Sequence, residues 1–318
     1  MIEEPGEAEL VAAHCWESED RVPGRPEMTA LRRRLRLRQA RWRAANGHPI
    51  GSQPMGGARP GQESRPVGSR IDLEYARETG ATFLTDAARA AATARASTVE
   101  AHQRLDSARM WADLLSSVAL SFNLFGDLAT DPQRADRALH RWWPDVPGTV
   151  SDVRFEHSPG RLDGAYLGNL STLEAAFVLD HGDGTRGIVG VGVRYHERAK
   201  SEVPKPRNLE RYRRVAGRSG AFRRGYEDAV VGDLTVLWLA HLLVLSMMQN
   251  PKDDTNWARY VVAYPAGNQD FARLCARYRE QLVDDSTFAS ITIEELLAAR
   301  ALRPPTIAAL RARYLSDS

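Results

Sequence analysis

A chain of 318 residues with a 43% apolar share and a 26% charged share can build a substantial core, as one large domain or two smaller ones. Its formal net charge of +2 excludes a global electrostatic drive toward nucleic acid or membrane. Lysine occurs only at Lys200, Lys205 and Lys252, so nearly all the positive charge is arginine.

The opening, MIEEPGEAEL, is acidic and lacks the basic-then-apolar layout of a secretory leader. Two cysteines, Cys15 and Cys275, are too few for a metal cluster. They read as thiols of a protein in a reducing cytoplasm. Residues 1–80 are rich in Arg, Pro and Gly and weakly periodic, which predicts a partly irregular N-terminal extension ahead of a main domain over 81–318. Within it LRRRLRLRQARWR, Leu31 to Arg43, predicts one short helix. Its Arg32, Arg33, Arg34, Arg36, Arg38 and Arg41 form either a solvated basic face or a phosphate-contacting arm, with Trp42 interleaved. GSQPMGGARPGQESRPVGSR then reads as a linker or an extended wrap.

From about Thr82 the pattern is helical. TDAARAAATARASTVEAHQRL is an alanine-rich helix with Thr85 or Asp86 as N-cap. ARMWADLLSSVALSFNLFG is a second helix ending near Gly126, and DPQRADRALHRWWPD a third that starts at Asp131 and stops at Pro144. After Gly148 the character becomes β. VSDVRFEHS, STLEAAFVLD and GIVGVGVRYHE are strand-like, and HGDGTR between the last two carries an Asp-Gly hairpin signal. Asp180 and Asp183 suit that turn without any functional role. LTVLWLAHLLVLSMM, Leu234 to Met248, contains His241 and is short for a bilayer, so it predicts a core helix. ARYVVAYPAGN is a strand ended by Pro265, and DFARLCARYREQL, TIEELLAARAL and PPTIAALRARYL are closing helices.

Alternation along GIVGVGVRYHE puts Ile188, Gly190, Gly192, Arg194 and His196 on one face, and Val189, Val191, Val193 and Tyr195 on a core face. Antiparallel pairing with the preceding strand can bring Glu174 near Gly192 and Arg194. One carboxylate and one guanidinium would then meet on a surface otherwise lined by small residues.

The order helices, strand, hairpin, helix, strand resembles the PD-(D/E)XK nuclease-like superfamily, in particular a bacterial group of restriction-endonuclease-like proteins. The landmarks are SFNLFGDL, FEHSPGR, STLEAAF, VRYHE and YPAGN, and the resemblance runs from RQARWRAANGHPIGS to the C-terminus. It implies an α/β (α+β) fold with a restriction-endonuclease-like core: a mixed central sheet, a β-hairpin carrying the site, flanking helices and an N-terminal helical extension. In active members an Asp on the first hairpin strand and a Glu-x-Lys on the second hold Mg²⁺, which lowers the pKa of a bound water and offsets phosphate charge. Those positions fall here at Glu174, Gly192 and Arg194. Glycine supplies no ligand atom, and arginine stays protonated and makes a poor base. The resemblance therefore implies the remains of a catalytic strand. Glu174 and Arg194 are then either an ion pair or part of a site rebuilt with neighbours.

The candidates for rebuilding are Glu156, His157, Asp163, His196 and Glu197, with Glu174 and Glu156 as metal ligands if Mg²⁺ is used. His196 has the alternative of a hydrogen-bonded histidine at a strand end. No Walker loop, zinc-ligand spacing or nucleophile elbow occurs, and no nucleotide cofactor is implied. Three functions follow: a binding module whose partner is DNA or another protein, a reorganised Mg²⁺-dependent endonuclease, or a scaffold subunit.

Overall fold

A computed structural model describes residues 4–55, 63–98, 100–103, 105–198, 201 and 203–315. Residues 56–62, the middle of the expected linker, and Lys200 lie outside the described residues. In chain order the elements are α1 (Glu7–Ala12), α2 (Pro26–Ala45), β1 (Ile50–Gln53), β2 (Arg65–Ile71), α3 (Leu73–Thr79), α4 (Asp86–Ser97), α5 (Ser107–Ala112), α6 (Ser117–Ala129) and α7 (Pro132–Trp142). Then come β3 (Thr149–His157), β4 (Leu173–Asp180), β5 (Arg186–Val193), α8 (Pro206–Ser219), α9 (Glu227–Val230) and α10 (Thr235–Gln249). The chain closes with β6 (Thr255–Tyr264), α11 (Gln269–Arg279), β7 (Phe288–Thr292), α12 (Ile293–Ala298) and α13 (Pro304–Tyr314).

Two compact units result. The first holds Met1–Ala96, Leu105–Gly126 and Leu302–Ser318; the second holds Ser97–Arg104 and Asp127–Ala301. The boundary at residue 80 suggested by composition falls inside the first unit.

In the first unit the basic run is part of a longer helix than the expected one. Pro26 stands at the start of α2, where a missing amide hydrogen costs nothing. Leu31, Leu35, Leu37 and Ala40 are buried. Arg36 is buried with them and grips Asp20 through two bonds of 2.6 and 2.8 Å, so burial and counter-charge arrive together. The expected second helix is broken in two. Asp113 leaves the helix in an extended conformation at the end of α5 and accepts from the Leu115 amide at 3.0 Å, while Leu114 donates its own amide to Ser69 on β2. Gly126 does not end α6. It lies inside it, because a Cβ there would sit 2.5 Å from the Ala88 Cα of α4. The N-cap expected at Thr85 is present, its hydroxyl accepting from the Ala88 amide at 3.1 Å.

The second unit is built on a five-stranded mixed sheet in the order β3-β4-β5-β6-β7. β3, β4 and β5 are antiparallel neighbours, whereas β5, β6 and β7 run parallel. A parallel step needs a long crossover. α8 to α10 supply it between β5 and β6, and α11 supplies it between β6 and β7. β5 therefore lies at the centre with helices to cover it, and all its residues after Arg186 are buried. The strand ends at Val193, earlier than the VRYHE pattern suggests, although the Arg194 amide still donates to Ala263 at 2.8 Å. α8 and β7 were not among the expected elements: α8 is a strongly polar helix, and β7 is a five-residue edge strand whose pairing is entirely non-local.

α10 is the apolar core helix expected, and it packs on the glycine face of β5. A Cβ at Gly190 would lie 2.7 Å from Val244 and 2.8 Å from Leu173, so only glycine lets helix and strand approach this closely. His241 on α10 is fully buried, bonded at 3.0 Å to the hydroxyls of both Tyr278 and Thr287.

Burial holds the His241 pKa at about 3, below the ordinary 6.5. As the pH falls the unfolded chain takes up the proton first. The stabilisation is complete above pH 6.5 and is lost as the pH drops toward 3. Chemical denaturation should show a loss of about 2 kcal/mol from this residue between pH 7 and pH 5. His241→Gln should remove that part of the slope.

Candidate functional site

β4 and β5 pair with Ala175 opposite Val191 and Ala176 opposite Gly190. The carboxylate of Glu174, at the start of β4, reaches the end of β5 from there. It accepts from Arg194 Nη1 and, through its other oxygen, from the Val193 amide at 3.3 Å. Arg194 also donates to the Val193 carbonyl at 2.7 Å, which turns the guanidinium back along its own strand. The side chains of Arg194 and Glu174 are 14% and 16% exposed, so the pair is largely shielded from water. Burial works against the Arg194 charge, but the Glu174 carboxylate, with Glu197, more than offsets it and raises its pKa.

Gly192 lies between these groups and contributes no side chain. A fully buried tyrosine from β6 occupies the place: a Cβ at Gly192 would strike the Tyr260 hydroxyl and lie 3.1 Å from its Cζ. Tyr260 is opposite Gly190 in the parallel register. Sequence reading missed it, because the register of a parallel pair formed across a three-helix crossover leaves no local signal.

Of the other sequence candidates, Glu156 lies on β3 between Phe155, opposite Ala175, and His157, opposite Leu173, so its backbone is abreast of Glu174. It has a positive φ of 46°, sparsely populated for a side chain of this size. Arg161 donates to its carbonyl at 3.0 Å and is itself ion-paired with Glu100. His157 is pushed down to about pKa 4, chiefly by burial, and Nε2 has no hydrogen-bond partner among the described residues. The Asp163 carboxylate serves its own turn, accepting from the Ala165 amide at 2.8 Å. His196 lies 4.0 Å from Glu197, whose carboxylate accepts from the Tyr195 amide at 2.7 Å. Among the described residues no three His, Cys, Asp or Glu side chains converge as a metal site.

Four of the α2 arginines meet carboxylates of their own unit, while Arg43 donates to the Gly68 and His48 carbonyls. Arg32 and Arg36 meet Asp20, Arg33 meets Glu4 and stacks 4.4 Å over Trp16, and Arg41 meets Glu9. Arg34 and Arg38 are half-buried.

Above the Glu174–Arg194 pair opens a cleft of about 410 Å³. One wall carries Asn169, Asn208 and Tyr212, with both amides donating to the Tyr212 hydroxyl at 3.0 and 3.2 Å. Val236 and Leu239 of α10 form an apolar side, and Lys205 and Arg207 stand exposed at the start of α8.

A family model of the PD-(D/E)XK nuclease superfamily matches residues 26–316. The chain belongs to that superfamily. The mixed sheet flanked by helices is its restriction-endonuclease-like core. Of the residues suggested as motif positions, Glu174 and Gly192 lie on the hairpin β4–β5 and Arg194 directly follows it. Neither the curated proteins nor the solved structures gave a match. Active superfamily members hold Mg²⁺ on paired carboxylates, and the residues present here do not fit that ion. Glu174 is engaged by a guanidinium and an amide, and position 192 offers only backbone pressed against a phenol.

Removing one partner of the pair leaves a shielded, uncompensated charge. Glu174→Ala and Arg194→Met should each lower unfolding free energy by about 3 kcal/mol in urea titrations. Glu174→Leu combined with Arg194→Met should lose much less than the sum, because no charge is then stranded.

Proposed function

We propose that this protein is a nuclease-fold binding module that holds a nucleic-acid backbone without hydrolysing it. The observation that carries the reading is a stripe of arginine along α8. Arg207, Arg211, Arg214 and Arg218 recur at intervals of four, three and four residues, which keeps them within one narrow face of the helix. At 1.5 Å per residue the stripe spans about 16 Å. It begins at the rim of the cleft with Lys205. Lys205, Arg207 and Arg218 are exposed and have no carboxylate partner among the described residues. Arg214 meets Glu210 only at 3.4 Å in full view of solvent, a pair worth little.

Two further points support binding over cleavage. Hydrolysis would need a free carboxylate and a tunable amine, and Glu174 and Arg194 neutralise each other instead. Arg32, Arg33, Arg36 and Arg41 of α2, the other candidate arm, face carboxylates, whereas Lys205, Arg207 and Arg218 form an open basic edge along α8. Among the described residues no helix is long and apolar enough to cross a membrane. We place the protein in the cytoplasm, where the buried Cys15 and Cys275 stay reduced.

Anisotropy of labelled duplex DNA, titrated at several salt concentrations, tests the reading. The affinity should fall steeply with salt, and Arg207→Gln, Arg214→Gln and Arg218→Gln together should reduce the log–log slope by about 3. The Arg33→Gln and Arg41→Gln pair should leave it nearly unchanged. No binding at low salt would overturn the nucleic-acid role in favour of a protein partner. Mg²⁺- or Mn²⁺-stimulated cleavage abolished by Glu174→Ala would mean that a working site has been rebuilt around that carboxylate.

A further inference from the structure

Tyr260 has an environment that its position on a core strand does not by itself demand. Its ring is fully buried, stacked 6.4 Å from His241 and tilted against Phe288 at 6.1 Å. The hydroxyl ends over Gly192 with no hydrogen-bond partner among the described residues. A buried orphan hydroxyl is unfavourable, and phenylalanine would fill the same packing space without it. Burial raises the phenol pKa above its ordinary value, so the group is neutral beside the Glu174–Arg194 pair. A Cβ at position 192 meets that hydroxyl head-on, and a glutamate there would have to pass through the same volume.

We propose that Tyr260 plugs the former metal site: its phenol fills the space into which a carboxylate at position 192 would project. The site is thereby closed by a matched pair, Gly192 with Tyr260, and not by the loss of single ligands. Restoring the acidic residue alone cannot reopen it. This inference rests on the motif positions Glu174, Gly192 and Arg194 in the superfamily hairpin and is independent of the nucleic-acid reading.

A thermal double-mutant cycle tests the fit. Gly192→Ala should lower the melting temperature by about 4 °C or more, as overpacking a full core does. In a Tyr260→Phe background the same substitution should cost less than half as much, and Tyr260→Phe alone should leave the melting temperature unchanged or raised. An equal drop in both backgrounds would overturn the proposal. The second arm measures Mn²⁺ binding by calorimetry on Gly192→Glu/Arg194→Lys with and without Tyr260→Ala. Binding should occur only when Tyr260 is shortened. Binding with Tyr260 intact would refute the plug, as would a folded triple variant that binds no more Mn²⁺ than the native chain. If the triple variant does not fold, the thermal cycle decides alone. Neither arm involves nucleic acid, so its failure is separable from failure of the binding role.

Discussion

A central strand covered on both faces can carry side chains only where its neighbours leave room. β5 is under that constraint along its whole length: antiparallel β4 on one edge, parallel β6 on the other, and α10 pressed onto the face that bears Gly190 and Gly192. The two glycines answer different demands. Gly190 admits the Val244 methyl of α10 and the Leu173 side chain, which closes the helix onto the sheet. Gly192 admits the phenol of Tyr260, which closes the sheet over its own motif position. What reads in one dimension as a weakened strand is in three dimensions a close-packed one.

The electrostatics of the site follow from the same closure. With no carboxylate at 192, Arg194 has Glu174 as its counter-charge, and the pair is shielded enough for each member to need the other. A nuclease needs the opposite arrangement, in which the carboxylate is left to the metal and the cation to the water. Here the two charges are paired with each other, and the exposed cations Lys205 and Arg207 stand at the start of α8 beside the cleft.

Arginine is abundant in both units but is used in two ways. On α2 it lies within or against the fold, bonded to Asp20, Glu4 and Glu9, and Arg36 is as buried as the leucines around it. On α8 Arg207, Arg214 and Arg218 are exposed, with Glu210 beside Arg214, while Arg211 is half-buried and donates to the Leu167 carbonyl at 3.4 Å. Clustering in sequence therefore gave a poor guide to which basic run faces solvent. A carboxylate far along the chain cancels a run without leaving a local trace, whereas spacing at four, three and four residues marks one helical face.

Much was legible along the chain. Period-two alternation and the Asp-Gly turn placed the β4–β5 hairpin, and the apolar run placed α10. The landmarks suggested Glu174, Gly192 and Arg194 as motif positions, and the ion pair between the first and last, one of two readings open at that stage, is present. The break between α5 and α6 was not legible, because it depends on Leu114 bonding to a strand more than forty residues away. Nor was β7, whose partners lie only in β6. The sequence by itself determined the superfamily core, since that is written in residue identity and local period. Only the tertiary structure decided what fills the space beside Gly192. Tyr260 is 68 residues from Gly192 in the numbering, and only the parallel register of β5 with β6 brings its phenol to the space a side chain at 192 would need.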